Sequence, residues 1–135
     1  MEAQDRFAIA DVMSRYASGV DDSDMARYKS CFVDDVEIVG MGPTTVNGIE
    51  PWLEFVTAAL EPYESTQHMM GPQLVELDGN IAHVRTDVIA THFYKEDAPN
   101  KTFTLWATYF SDMQRTSDGW KIKRHELVRR GMKVE

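Results

Sequence analysis

Asp21, His68, His92 and Tyr109 are four residues of this chain whose side chains are suited to moving a proton. A carboxylate that accepts one N–H of an imidazole fixes the tautomer of the ring and stabilises its protonated form. A nearby anion raises a histidine's pKa and apolar burial lowers it. Together they hold a base near working pH, where it contributes ~10²–10⁴-fold to a proton transfer. A second histidine or a tyrosine can then donate a hydrogen bond to the developing oxyanion or leaving group. Taken singly, each residue has a more ordinary use. Asx turns are common at helix ends, and a lone core-facing histidine or tyrosine is more often a hydrogen-bonded structural residue.

These side chains must be carried by regular elements. Gln4 to Val20 places Ile9, Val12, Met13, Tyr16 and Val20 at helical spacing, a helix with one buried face that ends beside Asp21. Met25, Tyr28 and Phe32 predict a second, short helix over Met25–Phe32, capped by Ser23 or Asp24. A short strand is expected at Val36–Val39, followed by a loop or hairpin at Gly40–Asn47. A third helix is expected over Gly48–Leu60, with Pro51 in its first turn.

Beyond Pro62 the pattern changes to strands. They are expected at Thr66–Glu76, Ile81–Tyr94, Thr102–Arg115 and Trp120–Val128. Asp78-Gly79 and Ser117-Asp118-Gly119 supply tight turns, and Lys95–Lys101 reads as a polar loop. Helices first and antiparallel hairpins after predict one α+β domain spanning the chain, with three N-terminal helices laid on one face of the sheet.

Strand alternation sorts the candidates. His92 shares a face with Val84, Val88 and Ala90, whereas His83 falls with Arg85 and Asp87. Tyr109 lies with Leu105 and Ala107. His125 has a mixed face of Leu127, Lys121, Lys123 and Arg129. His68 precedes Met69 and Met70, a partly apolar setting. The wall of a pocket is therefore expected from Tyr16, Val20, Trp52, Phe55, Met69, Val88, Leu105 and His125. Methionine suits such an adaptable lining, although core filling is its simpler use. Trp106, Phe110 and Ile122 are expected on the outward face.

Composition narrows the classes. The chain has 135 residues, 43% of them hydrophobic, and a net charge of −8. That charge argues against nucleic acid and against an anionic membrane surface as partners. A single cysteine, Cys31, rules out an internal disulfide. The acidic N-terminal stretch lacks an apolar signal region, and no apolar run approaches the ~20 residues of a membrane span, so the expected compartment is the cytoplasm. Phosphate loops, nucleophile elbows and zinc motifs are missing from the sequence. Asp21, His68 and His92 have metal-donor types but no signature spacing, and no metal is assigned.

The ordered set Ile9–Asp24, Phe32-Val33-Asp34-Asp35-Val36, Gly48, Thr66-Gln67-His68, Leu77-Asp78-Gly79, Thr91-His92 and Tyr109–Trp120 resembles the SnoaL-like branch of the nuclear transport factor 2-like superfamily. Within that branch it looks most like scytalone dehydratase and hexachlorocyclohexane dehydrochlorinase. The resemblance implies a cone-shaped, mixed and largely antiparallel sheet enclosing a pocket. It implies that Asp21 orients His68 as a base, with His92 as a second pocket histidine and Tyr109 where the dehydratase has an asparagine. Two tyrosines of the dehydratase are replaced here by Val20 and Gly40.

The expected activity is a cofactor-independent lyase or isomerase acting on a small, apolar, cyclic molecule. The alternative is a non-catalytic ligand-binding protein or an accessory subunit of a larger enzyme. Dimers or trimers are implied by the family.

Overall fold

The computed structural model describes residues 2–95 and 100–135. The polar loop expected over Lys95–Lys101 falls in part on residues 96–99, outside the described residues. Helix α1 (Glu2–Asp21) buries Ile9, Val12, Met13, Tyr16 and Val20 on one face. Full burial of a side chain such as Ile9 or Met13 contributes about 1.5–3 kcal/mol. Near the start of the helix, Asp5 accepts two hydrogen bonds from the Arg115 guanidinium, at 2.7 and 2.9 Å, and one from the Trp120 indole at 3.2 Å. These contacts hold the Asp5 carboxyl down at about 2 and clamp the helix to the sheet.

The helix stops where Ser23 takes a left-handed conformation, φ 53°. Asp24, not Ser23, caps α2 (Met25–Lys29) by accepting the Arg27 N–H at 3.0 Å. Helix α2 crosses α1 so closely that a Cβ on Gly19 would lie 2.8 Å from the Tyr28 nitrogen. A side chain at position 19 would therefore push the two helices apart.

Helix α2 is shorter than its spacing predicts. Phe32 instead opens β1 (Phe32–Val39), which pairs in parallel with the last strand. Cys31 lies between them, buried, with its thiol donating to the Val12 carbonyl at 3.4 Å. Burial pushes that thiol up to about 12. Cys31 is accordingly expected to resist thiol reagents in the native protein and to react at the rate of a free thiol in denaturant, a difference that an absorbance assay reads directly.

The hairpin partner β2 (Val46–Asn47) and helix α3 (Ile49–Leu60) follow. The single strand expected at Thr66–Glu76 is two strands, β3 (Tyr63–Met70) and β4 (Leu74–Asp78), interrupted at Gly71-Pro72-Gln73. Proline cannot donate to a ladder, which accounts for the break. Both pair with β5 (Ile81–Tyr94), one at each end. The sheet is completed by β6 (Thr102–Thr116) and β7 (Gly119–Val134).

Strand order is β2-β1-β7-β6-β5-β3, with β4 beside the other end of β5. The sheet is mixed, since only β1 and β7 run parallel. It is curved and open, and is not closed into a barrel. The helices cover one face, where α1 meets β3 and β7 and α3 meets β1. The other face exposes Ile89, Phe93, Trp106 and Phe110.

Ile122, expected on that outward face, is fully buried. The cause is a β-bulge: Asp112 pairs with Arg124 and Met113 pairs with Ile122, so Lys123 is skipped. A one-residue insertion of this kind reverses the faces on its two sides. No helix among the described residues is long and apolar enough to cross a membrane.

Candidate active site

Between the helices and the sheet lies a cavity of about 540 Å³. Its wall draws on every layer: Tyr16 and Val20 from α1, Tyr28 from α2, Trp52, Phe55 and Val56 from α3, and His68, His92, Leu105 and Tyr109 from the sheet. The lining is mainly apolar. Its polar groups are two histidines, several tyrosine hydroxyls and one arginine.

His68 is placed by β3, whose alternation turns it inward. The last residue of α1 meets it there. The Nδ1 of His68 is 2.8 Å from Asp21 Oδ1. Asp21 Oδ1 also accepts the Thr66 hydroxyl at 2.9 Å, and Oδ2 accepts the backbone N–H of His68 at 2.8 Å. Both side chains are largely shielded, at 9% exposure for His68 and 17% for Asp21. Burial pushes the Asp21 carboxyl up. The hydrogen bonds from the His68 ring, the His68 backbone and Thr66, with the attraction of His68, outweigh burial and leave it below 3.8. Asp21 is thus a carboxylate at neutral pH. Because a carboxylate can only accept, Nδ1 carries the proton and Nε2 of His68 is the basic nitrogen.

His92 follows the same logic with a different partner. Its Nδ1 is 3.0 Å from the Phe103 carbonyl, which can only accept. Nε2 is therefore free of a proton in the neutral ring. Burial lowers the pKa of His92, and the Phe103 carbonyl only partly offsets that. The ring centroids of His68 and His92 are 6.0 Å apart.

A buried polar cluster stands behind the cavity. The Tyr16 ring packs against those of Tyr28 and Tyr109, with centroids 5.0 and 5.3 Å away, and burial raises the pKa of all three, so their hydroxyls remain protonated. Trp52 Nε1 donates to the Tyr28 hydroxyl at 3.0 Å. His125 Nε2 lies 3.1 Å from the Tyr16 hydroxyl and its Nδ1 2.8 Å from the Ser111 hydroxyl.

The structure brings together most of the residues expected at the site, and moves three of the expected lining residues. Asp21 stands behind His68, bonded to its ring, as the resemblance implies. Met69, expected in the lining, is 61% exposed, because a residue adjacent to inward-facing His68 on an extended strand points the other way. Val88 is buried in the core deeper along β5 and lies outside the lining. His125 is fully buried behind Tyr16, where it supports the wall without reaching the cavity. Tyr28, Tyr63, Phe103, Leu127 and Arg129 line the cavity in addition. Their signals were the helical face of Tyr28, the shared parity of Phe103 with Leu105 and Tyr109, and that of Arg129 with Leu127.

Val20 and Gly40 both line the cavity. Gly40 has φ +85°, and a Cβ there would run into the Leu127 carbonyl oxygen. No tyrosine can occupy that position in this backbone.

No group of three or more His, Cys, Asp or Glu among the described residues is arranged to hold a metal ion.

A curved sheet covered on one face by helices, with a pocket between the layers, is the architecture of the nuclear transport factor 2-like class. Within it, the profile of the SnoaL-like domain matches residues 1–126, and the chain belongs to that family. A protein of Mycobacterium tuberculosis (strain H37Rv) is 29% identical over 128 residues, covering 91% of this chain and 84% of its own. Among solved structures, one described as an aromatic ring hydroxylase from Novosphingobium aromaticivorans superposes with a TM-score of 0.88 at 28% identity, over 98% of this chain and 94% of that one. A hexachlorocyclohexane dehydrochlorinase gives 0.87 at 24% identity, over 99% and 90%. A scytalone dehydratase-like protein from Novosphingobium aromaticivorans gives 0.84 at 23% identity, over 93% and 84%.

Proposed function

We propose that this protein is a cofactor-independent lyase or isomerase that removes a carbon-bound proton from a small, mostly apolar, cyclic substrate. The observation that carries this reading is the Asp21–His68 pair, hydrogen-bonded at 2.8 Å, with the ring forming part of the wall of the 540 Å³ cavity. A wall that only had to exclude water would not need a carboxylate committed to one ring nitrogen.

Nε2 of His68 takes the proton, and Asp21 stabilises the imidazolium that results. The electron pair left on carbon either expels a leaving group to form a double bond or moves onto a neighbouring carbonyl. In an isomerisation the same proton returns at a different carbon. Tyr109 is the hydrogen-bond donor to the developing oxygen charge, since burial keeps its hydroxyl protonated. His92, with a free Nε2 in its neutral ring, accepts a hydrogen bond from a substrate hydroxyl. Both the dehydratase-like and the dehydrochlorinase neighbours carry names of elimination enzymes, which supports the reaction class.

The test is NMR in deuterated buffer with a panel of cyclic ketones and β-hydroxyketones. Loss of a C–H signal or formation of the unsaturated product, faster with protein than in buffer, is the expected result. Saturable binding of the same compounds without exchange or elimination would overturn the lyase reading in favour of a carrier.

A further inference from the structure

Arg129 sets itself apart from the other arginines of the chain. Arg6, Arg15, Arg27, Arg85, Arg115 and Arg124 each donate to a carboxylate, and Arg130 donates to the Thr108 hydroxyl. The only polar contact of Arg129 among the described residues is a weak one, from Nη1 to the Met132 sulfur at 3.4 Å. Yet Arg129 lines the cavity while remaining exposed, which places it at the opening. Among the described residues no Asp or Glu is part of that lining. A guanidinium with no oxygen partner among the described residues thus stands at the mouth of an apolar chamber.

We propose that Arg129 is a specificity-determining residue that binds an anionic oxygen group of the ligand, and that the ligand class is a small cyclic carboxylate. A guanidinium presents a fixed fork of donors that matches a carboxylate in bidentate fashion. At the opening it stays hydrated until the ligand arrives, so holding it there costs little. The net charge of −8 repels anions from the protein as a whole, which makes a local cation necessary for such a ligand. The apolar ring then fills the space among Trp52, Phe55, Leu105 and Leu127, and the two ends of the ligand are told apart: anion at Arg129, reacting carbon at His68. This inference rests on the cavity being the substrate site of the function proposed above; it does not depend on proton transfer by His68.

The test compares matched probes by calorimetry: cyclohexanecarboxylate with its amide, and 1-naphthoate with 1-naphthamide. The carboxylate is expected to bind about tenfold or more tightly than the amide, with the margin narrowing as salt is raised. Arg129→Ala should abolish the preference, and Arg129→Lys should keep part of it, as a point charge without the fork. His68→Ala should leave it intact. Equal affinity for both members in the wild type, no saturable binding of either, or a preference that survives Arg129→Ala would each overturn the proposal. A preference that is present with no proton exchange by the wild type would leave it standing and remove the lyase reading alone.

Discussion

Replacing His68 with alanine is expected to lower kcat/KM by ~10²–10⁴-fold, the contribution of a positioned base. The protein should stay folded, because the ring faces a cavity and its loss removes little packing. Added imidazole should restore part of the rate, since the cavity and Asp21 both remain. Asp21→Asn should have a comparable effect on rate by a different route. Asp21 accepts from three donors: the Thr66 hydroxyl, His68 Nδ1 and the His68 backbone N–H. An amide offers one accepting oxygen and one donating nitrogen. If its nitrogen faces the His68 backbone, two donors oppose each other. If it faces the ring, Nδ1 must become the acceptor and Nε2 takes the proton, which removes the base from the cavity. Either arrangement also leaves a shielded donor unpaired, at a stability cost of about 1–3 kcal/mol. Imidazole should not rescue this variant. Steady-state kinetics and urea unfolding on the two variants separate these effects, and unchanged kcat/KM in both would sink the assignment.

The legible part of this site is the part that depends on unbroken periodicity. Strand β5 runs from Ile81 to Tyr94 without irregularity, so parity alone turns His92 inward and His83 outward. The same reasoning succeeds for Tyr109 on β6. It fails for Ile122 because the bulge at Lys123 depends on how β6 and β7 are paired, which no local pattern reports. Met69 departs from expectation for the opposite reason: its apolar type points to the lining, while alternation from inward-facing His68 sends it outward. The Asp21–His68 contact joins residues 47 apart in the chain and came from the family resemblance. Periodicity could place each on its own element but had no means to bring them together. Arg129 shared a face with Leu127 in the sequence, but whether an arginine finds an acid depends on tertiary neighbours.

The second large effect is expected on stability, through His125. Burial drives its pKa from 6.5 down to about 3. The ring is enclosed by Tyr16, Tyr109 and Phe32, with centroids 5.1, 4.6 and 6.5 Å away, and its two nitrogens are matched to the hydroxyls of Tyr16 and Ser111. Among the described residues no carboxylate offsets the effect of burial. Between pH 6.5 and 3 the unfolded chain therefore binds a proton that the folded chain refuses, and stability falls as pH falls, by up to about 1.4 kcal/mol per unit. Above pH 6.5 this residue makes stability independent of pH. From pH 7 to pH 5 the loss should be about 2 kcal/mol. His92, also lowered by burial, acts in the same direction, so the effect of His125 must be isolated by difference. His125→Phe keeps the ring and removes the titration. It should be less stable than the wild type at pH 7, having lost two hydrogen bonds, and the gap should shrink by about 2 kcal/mol at pH 5. Urea unfolding of the two proteins at pH 7, 6 and 5 measures this, and a gap that does not change with pH would refute it.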